Sequence, residues 1–127
     1  MKLTVIGAGC WGTALAMAAH DTGTEVLLYA REEEVVSEIN NNNSNARYLD
    51  KDVKVLPKAT NDLKEATELS DVVLCTTTLK FLRTTLRAVK DLDNIPRKII
   101  NVSKGFEPDT GQLPNQIIKE ELPTVKP

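Results

Sequence analysis

Three glycines at fixed spacing carry the first chemical signal in the chain. Gly7, Gly9 and Gly12 stand in GAGCWG, residues 7–12, and fit G-x-G-x-x-G. Gly7 suits a tight turn that a Cβ would obstruct. Gly9 allows the backbone to approach a pyrophosphate closely, and Gly12 allows a helix to pack tightly on a strand. The chemistry this predicts is anion binding: the first N–H groups of a helix have no internal partners, and the positive end of the helix dipole faces the same point. No Lys-Ser/Thr pair follows the glycines, so a nucleotide triphosphatase loop is excluded.

The second position of interest is the end of the next strand. In a dinucleotide-binding unit an acidic residue about 20 positions past the glycines takes the ribose 2′-hydroxyl. Here the chain reads Tyr29-Ala30-Arg31, with Glu32, Glu33 and Glu34 directly after. Arg31 can accept a 2′-phosphate or lie over the adenine, so NAD and NADP both stay open. The three glutamates are explained by their place in the first turn of a helix, where acidic residues are stabilising. His20, the only histidine, falls in the last turn of the first helix, where a cation suits the dipole. Cys10 and Cys75 both fall at the carboxyl ends of neighbouring strands, which makes a redox disulfide geometrically conceivable, although free Cys is also a common core residue. No His/Cys/carboxylate cluster has metal-ligand spacing.

The elements that must position these residues alternate regularly. Leu3–Ile6 reads as a buried strand and Thr13–Ala19 as a helix of strong helix formers, stopped at Asp21-Thr22-Gly23. Glu25–Tyr29 is a second strand and Glu33–Ile39 a second helix, ended by the Asn-rich run 40–45. Val53–Leu56 reads as a third strand, stopped by Pro57. Thr60-Asn61-Asp62 offers caps for a short helix through Thr67. Asp71–Cys75 is an apolar fourth strand, suited to the centre of a sheet. Leu79, Leu82, Leu86 and Val89 recur at helical spacing over 79–90. Lys98–Val102 is a fifth strand, 107–111 a turn and Asn115–Glu121 a last helix, with Pro123 and Pro127 preventing its extension. Such alternation predicts one α/β domain over 1–127, a Rossmann-like, doubly wound, mainly parallel sheet in the order 3-2-1-4-5. Its ligand site lies where strands 1 and 4 diverge, between the loops 7–12, 76–78 and 103–105.

Composition fits this reading. Of 127 residues, 41% are hydrophobic and 27% charged, and the net charge is −2. That balance points away from nucleic acid and membrane surfaces, and 4% aromatics give no stacking platform for single strands. The apolar run before Gly7 is too short for a signal-peptide core, and no stretch reaches membrane-span length. A soluble, cytoplasmic protein is expected.

Four segments together carry a family resemblance: GAGCWGTALA at Gly7–Ala16, NARYL at Asn45–Leu49, FLR at Phe81–Arg83, and SKGFEPDTG at Ser103–Gly111. They resemble NAD(P)-dependent glycerol-3-phosphate dehydrogenases of the bacterial type, over essentially the whole chain. The resemblance implies an oxidoreductase that reduces dihydroxyacetone phosphate to glycerol 3-phosphate with NADH or NADPH for phospholipid synthesis. It implies Gly7, Gly9, Cys10, Trp11 and Gly12 on the pyrophosphate and nicotinamide side, Arg31 near the adenosine, and Tyr48 and Phe81 beside the cofactor. Lys104 would contact the cofactor and reach the substrate, where its charge can stabilise oxygen charge during hydride transfer.

Two departures accompany the resemblance. Where the family has Val-Pro-Ser/His after strand 4, this chain has Thr77-Thr78-Leu79. The chain also ends near Leu122-Pro123, where the family continues into a helical substrate domain bearing the principal catalytic lysine and a phosphate-binding arginine. The expectation is therefore a coenzyme domain that binds dinucleotide without catalysing alone, with any homodimer formed through the missing domain. The competing expectation is a stand-alone dinucleotide-binding or redox-sensing module.

Overall fold

The computed structural model describes residues 1–68 and 70–125; Pro127 lies outside them. Five parallel strands form one sheet: β1 (Lys2–Ile6), β2 (Glu25–Tyr29), β3 (Lys58–Thr60), β4 (Val72–Cys75) and β5 (Ile99–Asn101). Their spatial order is β3-β2-β1-β4-β5. The connections are α1 (Cys10–Asp21), α2 (Glu33–Asn42), α3 (Leu63–Glu68) and α4 (Leu79–Lys90), and α5 (Pro114–Glu121) closes the described chain. The expected order is the observed one.

Alternation along each strand divides the core in two. Val5, Leu28, Ala16, Val35 and Ile39 form the cluster beneath α1 and α2. Ile6, Val73, Leu82, Leu86, Ile99 and Ile117 form the cluster beneath α4 and α5. The apolar stripe of α4 is buried throughout, at Leu79, Leu82, Leu86 and Val89. With β1 and β5 on either side, β4 is an interior strand, as its composition predicted.

Three local readings need correction. The third strand does not lie at Val53–Leu56 but after Pro57, at Lys58–Thr60. Val55 is a fully buried plug whose N–H donates to Asn43 O at 2.8 Å, while Leu56 faces solvent. The apolar run thus fills a gap and does not join the ladder. The Asn-rich run is not all loop: α2 continues through Asn42, and Asn43 closes it with φ 50°. The Asn40 carboxamide explains the extra turn, since it donates to Ala59 O at 2.8 Å and accepts from Ala59 N at 2.9 Å. Helix α1 begins at Cys10 and not Thr13, because Thr13 N already donates to Gly9 O at 3.0 Å.

The caps fall where predicted elsewhere. Gly23, at φ +83°, follows the end of α1. Asp62 Oδ1 accepts from the N–H groups of Lys64 and Glu65 at the start of α3.

An ion-pair cluster ties α4 to the chain after β5. Arg83 Nε and Nη2 each donate to one oxygen of the Glu107 carboxylate at 2.7 Å. Arg83 Nη1 reaches Glu121 Oε1 at 2.5 Å, and Nη2 also donates to Gln112 Oε1 at 2.6 Å. Glu107 and Glu121 are nearly enclosed, with side chains 12% and 8% exposed. The Arg83 guanidinium, with help from the Thr110 hydroxyl, lowers the Glu107 carboxyl from 4.5 to about 2. Arg87 first and then Arg83 hold Glu121 below its ordinary value against the opposing effect of burial.

A depressed folded-state value stabilises the protein above the unfolded-state pKa and loses that contribution as pH falls through the folded one. Glu107→Gln is therefore expected to melt below the parent at pH 7. The difference should shrink as pH falls from about 4.5 to about 2. A difference in melting temperature that stays constant over that range would count against the clamp.

Candidate functional site

Packing at the carboxyl end of β1 dictates the glycine turn. Gly7 sits at φ +117°, and a Cβ there would come within 2.6 Å of Thr76 Oγ1. A Cβ on Gly12 would stand 1.8 Å from Gly7 O and 2.4 Å from Thr76 Oγ1. The Thr76 hydroxyl is itself fixed, within hydrogen-bond distance of Ile6 O at 3.0 Å and Gly7 O at 2.9 Å. So β1, the turn, α1 and the end of β4 meet with no spare volume. Gly9 is the opposite case. With φ −73° it needs no glycine conformation, and nothing lies within 4 Å of the place its Cβ would take. A bare backbone facing open space at a helix N-terminus is a surface suited to an anion.

That surface opens into a cleft of about 380 Å3 where β1 and β4 diverge. Gly7, Gly9, Arg31, Tyr48, Thr77 and Phe81 are among the residues that line it. The Arg31 guanidinium lies 5.2 Å from the centre of the Phe81 ring, and the Lys80 ammonium 5.5 Å from it. Arg47 lies 5.5 Å from the centre of the Tyr48 ring. Of these groups Arg31, Phe81 and Tyr48 line the cleft. Tyr29 lines the same cleft, and its phenol is raised above its ordinary value chiefly by burial.

Of the residues singled out in the sequence, Gly7, Gly9, Arg31, Tyr48 and Phe81 share this cleft. Gly12 is buried behind it. Cys10, Trp11 and Lys104 are exposed and stand outside its lining, Trp11 at 58% exposure. Lys104 lies on the loop after β5, whose Ser103 hydroxyl donates to Thr77 O at 2.5 Å. The 103–105 loop thus touches the site through Ser103. Cys75 is buried, and burial pushes its thiol up to about 12.

The sequence placed Asn45 within NARYL and gave it no role of its own. It is fully buried, and its Nδ2 donates to Ala8 O and Thr13 Oγ1, both at 3.0 Å. It fastens the segment carrying Tyr48 to the glycine turn. Thr76 was placed beside the crevice, yet its part in setting the turn was not foreseen. The demand for glycine at positions 7 and 12 was the available signal, since something must fill the space a Cβ would take.

Residues 2–127 match the family described as NAD-dependent glycerol-3-phosphate dehydrogenase N-terminus. The chain belongs to this family. The glycerol-3-phosphate dehydrogenase (NAD(P)+) of an Exiguobacterium species is 38% identical over 126 residues, 98% of this chain and 37% of the relative. The enzyme of the same description from Acholeplasma laidlawii is 39% identical over 122 residues, 96% of this chain and 36% of the relative. The crystal structure of glycerol-3-phosphate dehydrogenase from Coxiella burnetii superposes with a TM-score of 0.86 at 28% identity, over 98% of this chain and 38% of that one. This chain spans just over a third of the length of the curated relatives it matches.

The two glycines make opposite demands on a side chain, and melting curves separate them. Gly12→Ala is expected to lower the melting temperature severely or prevent folding, because the obstruction is backbone. Gly9→Ala is expected to melt within about 2 °C of the parent. Equal effects from the two substitutions would contradict the packing described.

Proposed function

We propose that this chain is the dinucleotide-binding domain of an enzyme that reduces dihydroxyacetone phosphate to glycerol 3-phosphate with NADH or NADPH, serving glycerophospholipid synthesis in the cytoplasm. The single observation that carries this is the Gly9 cradle opening into the cleft between β1 and β4, in a chain of this family. The residues present fit the cofactor. The first turn of α1 offers its free N–H groups to the diphosphate. Arg31, with Phe81 behind it, offers charge and an aromatic face to the adenosine end. Bound there, the nicotinamide supplies the hydride.

Lys104 and Trp11 stand at the exposed rim, where a further part of the enzyme would meet the substrate. In this reading Lys104 is the auxiliary cation on the substrate side, and the principal acid–base group and the phosphate-binding arginine lie on a helical domain beyond these residues. Any homodimer forms through that domain.

A stand-alone redox sensor fits less well. Sensing thiols are accessible and carry thiolate character. Cys10 is exposed, but Cys75, the thiol it would pair with, is buried and stays protonated at neutral pH. Among the described residues no helix is long and apolar enough to cross a membrane.

Calorimetric titration of the chain with NADH and, separately, NADPH tests the proposal. Both are expected to bind. Gly9→Ala should weaken both by tenfold or more, on the order of 1.4 kcal/mol. Arg31→Ala should weaken NADPH about tenfold and NADH less, because only NADPH offers a 2′-phosphate to the guanidinium. Absence of binding by either nucleotide at millimolar concentration would reject the reading.

A further inference from the structure

Glycine at position 9 leaves the space beside the turn open. It also removes the steric barrier that a Cβ would raise, so the peptide unit before it can rotate unless something restrains it. The rest of the turn is restrained by backbone and by Thr76. Gly7 N donates to Tyr29 O at 3.0 Å, and the Thr76 hydroxyl lies 2.9 Å from Gly7 O. Gly9 O accepts from Thr13 N at 3.0 Å. The Ala8–Gly9 peptide has no backbone partner at either end among the described residues. Its one partner there is a side chain, Asn45 Nδ2, 3.0 Å from Ala8 O.

That contact has a direction. A reversed carboxamide would set Oδ1 against Ala8 O, two acceptors face to face, so the N–H end faces the turn. The second Nδ2 hydrogen meets Thr13 Oγ1, also at 3.0 Å. Asn45 is fully buried and is not part of the cleft lining, so Ala8 O points inward, toward it. In a trans peptide the N–H points the opposite way to the C=O, and no described peptide is cis. Gly9 N–H is thereby aimed away from Asn45, and Gly9 lines the cleft. The main-chain oxygen of Asn45 meanwhile accepts from Tyr48 N at 3.1 Å, so one buried residue holds two parts of the cleft.

We propose that Asn45 is a positioning residue for the dinucleotide site, its carboxamide holding the Ala8–Gly9 peptide so that Gly9 N–H faces the cleft before ligand arrives. This rests on the dinucleotide-binding reading above. Asn45 touches no ligand. It removes the alternative orientation, in which Ala8 O would turn toward an incoming anion and repel it. Restraint already present in the free protein spares the complex that rearrangement, which is how preorganisation raises affinity.

Asn45→Ala frees the peptide. Val55→Ala is the control, a truncation of a fully buried apolar residue outside the cleft lining. Both are titrated with NADH and with ADP well below their melting temperatures, where the protein is folded and a purely structural role leaves affinity untouched. N45A is expected to bind both nucleotides about five- to tenfold more weakly than the parent. V55A is expected to melt lower and bind as the parent does. The Gly9 amide gives a second reading that depends on no variant. In the ligand-free parent its proton should exchange freely with solvent. On binding ADP it should become protected and move downfield in the nuclear magnetic resonance spectrum, and in N45A saturated with ADP that displacement should be much smaller. N45A that binds like the parent overturns the proposal, and so does an equal loss of affinity in V55A. A Gly9 amide protected from exchange in the ligand-free parent also overturns it, since that N–H would then face the interior. Failure of the parent to bind either nucleotide removes the dinucleotide-binding reading and this proposal with it, and the parent titration alone reports that outcome.

Discussion

There is no room for a carbon atom at Gly12, and the site depends on that. The backbone of α1 rests directly on Gly7 O and Thr76 Oγ1. Contact this close fixes the distance from the helix N-terminus to the strand ends, and so the position of the free N–H groups of its first turn. Thr76 makes the contact mutual: one hydroxyl bridges the last carbonyl of β1 and the first of the turn. Close packing and hydrogen bonding act here on the same few atoms, which is why the turn is rigid enough to serve as a cradle.

A second constraint operates on the far side of β4. Helix α4 presents Phe81 to the cleft and Arg83 to the chain following β5. The bidentate pairing of Arg83 with Glu107 binds that chain to the helix, and Glu121 extends the pairing to α5. One helix therefore carries both a wall of the site and the anchor of the loop bearing Lys104. Movement of either would be felt by the other through three residues of helix.

Much of this could be read from residue order alone, for a physical reason. Strand and helix periods, the glycine spacing and the caps at Asp62 and Gly23 are local properties, and local properties fix element type and the order of a doubly wound sheet. What escaped depends on contacts remote in the chain. Asn45 meets Ala8 and Thr13 across more than thirty residues, and the family likeness of NARYL says nothing of those partners. Arg83 and Glu107 look like ordinary surface charges until the turn at 107–111 returns the chain to α4. Val53–Leu56 misled because apolarity reports burial and not hydrogen bonding: Val55 is buried as a plug, and the ladder forms where Pro57 has been passed.

The Asn40 carboxamide has a consequence beyond the length of α2. It occupies both the N–H and the carbonyl of Ala59, the middle residue of β3. Since β3 is the outermost strand on its side, these two groups would otherwise lie open to any passing extended peptide. A side chain stands in for the next strand. The sheet is thereby finished at this margin, and chains crowded together in the cell, or briefly loosened by heat, meet a blocked edge in place of a template for stacking.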